Sequence, residues 1–194
     1  MGLLVMILGL VLFLGVHTLT TQRELRARVI ASSGESGYKL GYALVSILGL
    51  VLIVWGFAHY RATGMWEVWT PPKLLKHVTV ALMLPAVILV VASYIRGRIY
   101  TALKHPMLAG VKLWAAAHLI ANGDLGSIVL FGSFLGWAVF DRISLKRRND
   151  AGAPPIPVGG PGNDLIAVAV GLVAYLALAF VFHPVVIGVP VVGS

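Results

Sequence analysis

The pattern along this chain is one of long apolar runs separated by short polar breaks, with little helical or strand alternation inside the runs. Six such stretches stand out, at approximately Leu3–Thr21, Tyr38–His59, Leu74–Ile95, Pro106–Ala121, Leu125–Phe140 and Asp164–Phe182. A segment apolar on every face belongs in lipid or in the middle of a large core. At about 1.5 Å of rise per residue, the longer runs cross a hydrocarbon layer of roughly 30 Å. The predicted fold is therefore all-α, a polytopic transmembrane helical bundle of about six helices. The fourth and fifth runs, about 16 residues each, are short for a span. Only Asn122-Gly123-Asp124 joins them, which is turn chemistry. They read as a helical hairpin ending in the outer headgroup layer. Gly132 and Gly136 form a GxxxG on the fifth run and predict close packing against a neighbour.

Composition agrees with this reading. Of 194 residues, 59% are hydrophobic and 11% charged, against about 25% charged in soluble domains. The mean hydropathy is +0.93. There is too little polar surface for a soluble globule, and the loops are too short for a second one. The absence of cysteine excludes disulfides, thiolate ligands and Cys-type zinc or iron–sulfur sites. The first run follows Met1-Gly2 with no basic segment before it and reads as a retained helix, not a secretory signal.

The formal charge is +8, but the chain has no basic face interleaved with aromatics, so nucleic acid is not an expected partner. The partner is the lipid bilayer. Arg23, Arg26, Arg28 and Lys39 lie in loop one, Arg96, Arg98 and Lys104 in loop three, and Arg142, Lys146, Arg147 and Arg148 in loop five. Loop two holds only Arg61, Lys73 and Lys76, and loop four has no basic residue. The positive-inside rule puts the odd loops in the cytoplasm and both termini outside. Trp66 and Trp69 place loop two at headgroup level. The organisation is then a five-helix domain over 1–148, a Pro/Gly-rich linker over 149–163 that carries little packing, and a C-terminal transmembrane helix and tail over 164–194, packing peripherally.

Ionisable side chains within the spans are functional candidates. Of six histidines, His183 falls at the end of the last run and reads as interfacial, as does His59 at the end of the second. His77 opens the third run and is placed to line the outer mouth of the bundle. His17 and His118 lie inside their runs. Trp114 and Asn122 stand one helical turn to either side of His118, with Gly110, Ala115 and Ala121 around the same surface. That leaves room for a flat cofactor, or equally for a neighbouring helix. His105 precedes Pro106 at the helix start and lies about 20 Å from His118 along the axis, on another face, so the two cannot share one iron. No acid–base pair, Ser–His–Asp arrangement or phosphate loop identifies a catalytic residue.

The strings His105-Pro106-Met107, Trp114-Ala115-Ala116-Ala117-His118-Leu119-Ile120-Ala121-Asn122-Gly123-Asp124, Leu130-Phe131-Gly132 and Trp137-Ala138-Val139-Phe140-Asp141 resemble the signature of the NnrU family. So does the His17 helix with its basic loop. The resemblance covers roughly residues 1–148. Bacterial members are associated with denitrification and nitric-oxide reductase expression, and the family is similar to plant 15-cis-ζ-carotene isomerase, a haem-b membrane enzyme. The resemblance implies a bacterial cytoplasmic-membrane protein that binds haem b, with His17 and His118 as iron ligands. It makes His59 and His105 family positions, while Trp114, Asn122 and His77 are the other candidates for the cofactor surroundings. The implied small partner is nitric oxide or an apolar polyene or lipid. Three functions follow: haem protein of nitric oxide metabolism, haem-dependent cis-trans isomerase, and cofactor-free assembly factor. The topology offsets His17 and His118 by about 14 Å along the bilayer normal. Two imidazoles on one iron leave their Cα atoms about 12 Å apart, taking about 2 Å per metal–nitrogen bond. Whether His118 pairs with His17, His77 or His59 therefore stays open.

The orientation is directly testable. A cysteine placed in the linker at Gly160, in this cysteine-free chain, should resist an impermeant thiol reagent in intact cells and react after lysis. Ready labelling of intact cells would invert the topology.

Overall fold

The computed structural model describes residues 1–147 and 158–191. The helices are α1 (Gly2–Leu19), α2 (Arg23–Ala62), α3 (Lys73–Ala92), α4 (Arg98–Leu103), α5 (Pro106–Ala121), α6 (Leu125–Arg147) and α7 (Pro161–Ala177). The last runs straight into a π-helical segment, Leu178–Ile187. Among the described residues the only extended pairing is an isolated bridge between Glu67 and Asp124. Five helices are long and apolar enough to span a membrane, counting α7 with its continuation, and α5 is a shorter sixth. The chain is thus a helical multi-pass membrane protein.

Two boundaries differ from the apolar pattern. α6 is 23 residues long, because its helix continues past Phe140 through the basic Asp141–Arg147 end. It is therefore long enough to span, where the apolar run alone looked short. Loop one is also mostly helix: α2 starts at Arg23 and breaks only at Gly34, whose φ of 73° is glycine territory. Its first part, with Arg23, Glu24, Arg26 and Arg28, is too charged to extend the apolar run. Ser32 and Ser33 donate their hydroxyls back to the Val29 carbonyl, which favours a bend. Beyond the bend, Lys39 forms an exposed ion pair with Glu35 at 2.7 Å, and that hydrogen bond holds the Glu35 carboxyl below its ordinary pKa.

The helices fall into two compact units, the first formed by α1, α2 and α6. In it α1 and α2 lie backbone to backbone. A Cβ on Gly2 would stand 2.7 Å from the Gly56 carbonyl oxygen, and one on Gly56 would stand 2.9 Å from that of Gly2. Gly9 and Gly49 repeat the arrangement at 2.7 and 3.0 Å. Small residues at such crossings let helices approach closely in lipid, where dispersion and not water exclusion holds them together. The GxxxG of Gly132 and Gly136 does no such work: a Cβ on either meets nothing within 4 Å. The glycines that matter are seven apart, not four.

The rest of this unit is tied by loop two. The Gly123 carbonyl accepts from Val68 N and Trp69 N at 2.8 and 3.1 Å, and Leu125 N donates to the Trp66 carbonyl at 2.8 Å. Trp66 N donates to the Tyr60 hydroxyl, and the Asp124 carboxylate caps α6 through Ser127 N at 2.9 Å. The Asn122-Gly123-Asp124 turn thus takes its partners from loop two. Within this unit α6 packs on α1, and within the second unit α5 packs on α3.

The second unit holds α3, α4, α5, and α7 with its π-helical extension. Buried Thr79 on α3 donates to the Ala117 carbonyl of α5 at 2.7 Å, and Tyr175 on α7 donates to the Val80 carbonyl of α3 at 3.1 Å. Gly171 lets α7 approach Ile88 of α3, and Gly110 lets α5 approach Ala86. α7 is therefore a wall of this unit, not a peripheral helix. Its start is pinned as well. The Asp164 carboxylate accepts from Arg98 N and Ile99 N, the first amides of α4, at 3.1 and 2.9 Å. Asn163 donates to the Arg96 carbonyl, and Gly159 lies against the Arg96–Gly97 backbone. The described end of the Pro/Gly stretch thus packs closely, and glycine is what permits it. The part of the predicted linker before Val158 lies outside the described residues.

The glycine contacts give a paired prediction. Gly9→Ala or Gly49→Ala should destabilise the fold by about 1–3 kcal/mol through overpacking. Gly132→Ala should be neutral or stabilising by up to about 1 kcal/mol, since alanine favours helix. Thermal unfolding in detergent, followed by circular dichroism, reads both. Equal effects at all three sites would refute the assignment.

Candidate functional site

α5 begins at Pro106, where a missing N–H costs nothing, and ends in the Asn-Gly turn. Its small residues face inward, with Ala115 and Ala117 fully buried. This draws α5 close to α3 and leaves the larger Val111, Trp114 and His118 beside an opening between α3, α5 and α7. The opening is a partly enclosed cavity of about 410 Å³, within the usual range for small-molecule sites. Val80, Met83, Val87 and Val90 of α3 line one side, and Leu178, Ala179 and Phe182 another. Its polar groups are few: Thr79, the Tyr175 hydroxyl, the Trp114 indole and two imidazoles, His118 and His183.

The His118 ring is fixed from behind. Its Nδ1 lies 2.9 Å from the Trp114 carbonyl oxygen, to which it donates as the Nδ1–H tautomer. That leaves Nε2 as the basic nitrogen. Metal-binding histidines are oriented in this way, with the other ring N–H on a carbonyl or carboxylate. The Trp114 ring stands 5.5 Å from the imidazole.

His183 lines the same cavity. Its ring centroid lies 6.3 Å from that of His118, with the planes inclined by 30°. The apolar run of the sequence ends just before it, at Phe182. The helix instead widens to a π-helix over Leu178–Ile187, with Pro184 inside it, and closes at Gly188 in a left-handed turn. Bonds spanning five residues stack His183 over Leu178, itself a lining residue. An angle of 100° per residue carried through from α7 does not give that placement.

His17 has a different setting, in the first unit. Its Nδ1 lies 2.6 Å from the Phe13 carbonyl oxygen, the same tautomer as His118. Aromatic rings crowd it: Phe13 stacks at 4.2 Å, Tyr42 stands at 5.2 Å, and Trp137 meets it edge-on at 5.8 Å. The indole Nε1 of Trp137 is buried and has no hydrogen-bond partner among the described residues. Beyond His17 lies an open recess of about 490 Å³, lined by Thr20, Arg23, Arg26, Tyr38, Lys39 and Tyr42. Arg26 lies over the Tyr38 ring at 5.3 Å. A cluster of cations at the end of an apolar helix pair is the composition that meets anionic headgroups.

The other candidates do not line the cavity. His59 stacks on Trp55 at 5.7 Å near the end of α2. His77 is exposed on the first turn of α3, with Nδ1 3.2 Å from the Lys73 carbonyl. His105 stands before α5, where its carbonyl accepts from Ala109 N. Asn122 follows the last residue of α5 and belongs to the first unit. Of the expected cofactor surroundings, Trp114 alone joins His118 at the cavity. Tyr175, Thr79 and His183 were not anticipated.

Among the described residues, no group of three or more His, Cys, Asp or Glu side chains converges on one point. A bare tetrahedral metal ion needs four ligands, so neither site can hold one with protein groups alone.

Neither curated proteins nor solved structures give a match. The family model described as NnrU protein matches residues 5–191, which takes in both units, the Pro/Gly stretch and α7. The match extends well past the 1–148 region in which the motifs were recognised, and the chain belongs to the NnrU family.

Proposed function

We propose that the chain is a haem-b-binding protein of the bacterial cytoplasmic membrane, with both termini outside, acting in denitrification and nitric oxide metabolism. The observation that carries this reading is His118, which lines an apolar cavity with its Nδ1 committed to a helix carbonyl. The donor set fits a metallated macrocycle better than a bare ion. A haem brings its own four nitrogens and asks the protein for only one or two ligands. His118 would hold it, and the family resemblance names His17 as well. Bound there, haem would supply an iron able to take up nitric oxide or change oxidation state.

The chain's own contribution is burial and orientation. The valines of α3 and the Leu178–Phe182 wall exclude water. The Trp114 carbonyl holds the His118 ring in one tautomer. A second reading, a cis-trans isomerase of a carotenoid-like polyene, is favoured by the nearly unbroken apolar lining, which suits a long hydrocarbon.

Detergent-purified protein should show a Soret band that shifts on reduction. His118→Ala should lower bound haem about tenfold or more, the scale on which metal-site changes act, while the protein stays monodisperse. Full haem content and an unchanged spectrum in that variant would overturn the ligand. A wild-type protein that takes up no haem would leave the cofactor-free assembly factor standing. Turnover of a cis-carotenoid under reducing conditions would select the isomerase.

A further inference from the structure

We propose that the cationic recess of the first unit binds an anionic phospholipid, with the lipid phosphate on Arg26 and Arg23. The site lies within that unit and stands apart from the haem reading. The recess, about 490 Å³, is lined by Thr20, Arg23, Arg26, Tyr38, Lys39 and Tyr42. That volume is in the usual range for small-molecule sites. Among the described residues its lining includes cations and hydroxyls and no acid.

The recess exists because α2 bends. On a straight helix Arg26 and Tyr38 would stand about 18 Å apart along the axis, too far for their side chains to meet. The Arg26 guanidinium instead lies 5.3 Å from the centre of the Tyr38 ring. The break at Gly34, with its φ of 73°, folds the first part of α2 back toward Tyr38, Lys39 and Tyr42. A Cβ on Gly34 would meet nothing within 4 Å, so glycine serves there through its backbone angle alone. Tyr38 is buried and gives the guanidinium a fixed platform. Stacking occupies the flat face of an arginine and leaves its N–H edge for an anion, which that edge can grip through two oxygens. Lys39 is ion-paired with Glu35 at 2.7 Å. Arg26 is therefore the cation best placed to take a phosphate, and Arg23 adds a second charge beside it.

The surroundings select a lipid over a free anion. The recess lies where the apolar α1 ends at Leu19 and where the apolar run of α2 begins at Tyr38. Tyrosines gather at headgroup level. Beyond Tyr42, α2 exposes Leu44, Leu48 and Val51, an apolar surface for acyl chains to cover. Inorganic phosphate would gain nothing from it. Cations bordering an apolar helix surface are the pattern that collects anionic lipids.

The test uses the full-length chain, delipidated in detergent and then given phosphatidylglycerol or the zwitterionic phosphatidylcholine. Native mass spectrometry counts the lipid retained, and circular dichroism checks the fold of each variant. The wild type should retain phosphatidylglycerol in preference. Arg26→Gln should weaken that retention about fivefold, the worth of one cation at a charged surface. Gly34→Ala alters no charge but disfavours the bend, and should weaken retention as well. Arg147→Gln, which removes a charge at the end of α6, should leave it unchanged. Equal retention of the two lipids by the wild type would overturn the proposal, whether or not the variants fold. Equal losses in Arg26→Gln and Arg147→Gln would overturn it too, as a general charge effect. Displacement of the lipid by inorganic phosphate alone would overturn the lipid assignment and leave a free-anion site.

Discussion

The first unit depends on one steric constraint: at two levels the backbones of α1 and α2 come into direct contact. Gly2 meets Gly56 and Gly9 meets Gly49, and a single methyl group at any of the four would collide with main-chain atoms. In lipid no water is squeezed out when helices meet, so closeness itself supplies the attraction. The contact also fixes register. Stepping seven residues back along α2 from Gly56 gives Gly49 and then Tyr42, where a large ring replaces a hydrogen atom. The helices must separate there, and at that level the aromatic group of Phe13, His17, Tyr42 and Trp137 fills the gap. The cationic recess opens just beyond it. The setting of His17 is thus a consequence of where the glycines stop.

The second unit uses polar groups where the first uses glycine. Thr79 and Tyr175 each donate to a carbonyl on another helix, and an unpaired hydroxyl in hydrocarbon would be costly. These bonds fix α3 against α5 and α7 while leaving the side chains between them free to shape a cavity. A bundle held by apolar packing alone would have closed over that space. The same arrangement explains how a cavity with mostly apolar walls can stay open.

The sequence made the spans legible because twenty-residue apolar runs have no other solution, and the ends of α5 were marked by Pro106 and the Asn-Gly turn. His118 and Trp114 were legible for a related reason: on a regular α-helix, residues four apart share a face. What stayed hidden had no apolar or α-helical signature. The helix from Arg23 to the Gly34 bend mixes Arg23, Glu24, Arg26 and Arg28 with a few apolar residues and forms no long apolar run. The glycine pairs lie on different helices, so no local motif links them, whereas the local GxxxG at Gly132 and Gly136 is idle. His183 reaches the cavity because the helix widens around Pro184, a placement that α-helical spacing does not reveal. Asp164 looked like the first residue of a helix, and nothing nearby in sequence hints that it caps α4 more than sixty residues earlier.

That long-range cap has a consequence for the order in which the protein is made. α3, α4 and α5 enter the membrane well before α7 leaves the ribosome, and until then the first amides of α4 lack their carboxylate and the cavity lacks its third wall. A half-synthesised chain therefore exposes His118 and the valines of α3 to lipid, with no pocket to hold anything. The second unit can close only once α7 has been made. Whatever occupies the cavity must arrive late, or wait in the bilayer beside an unfinished wall.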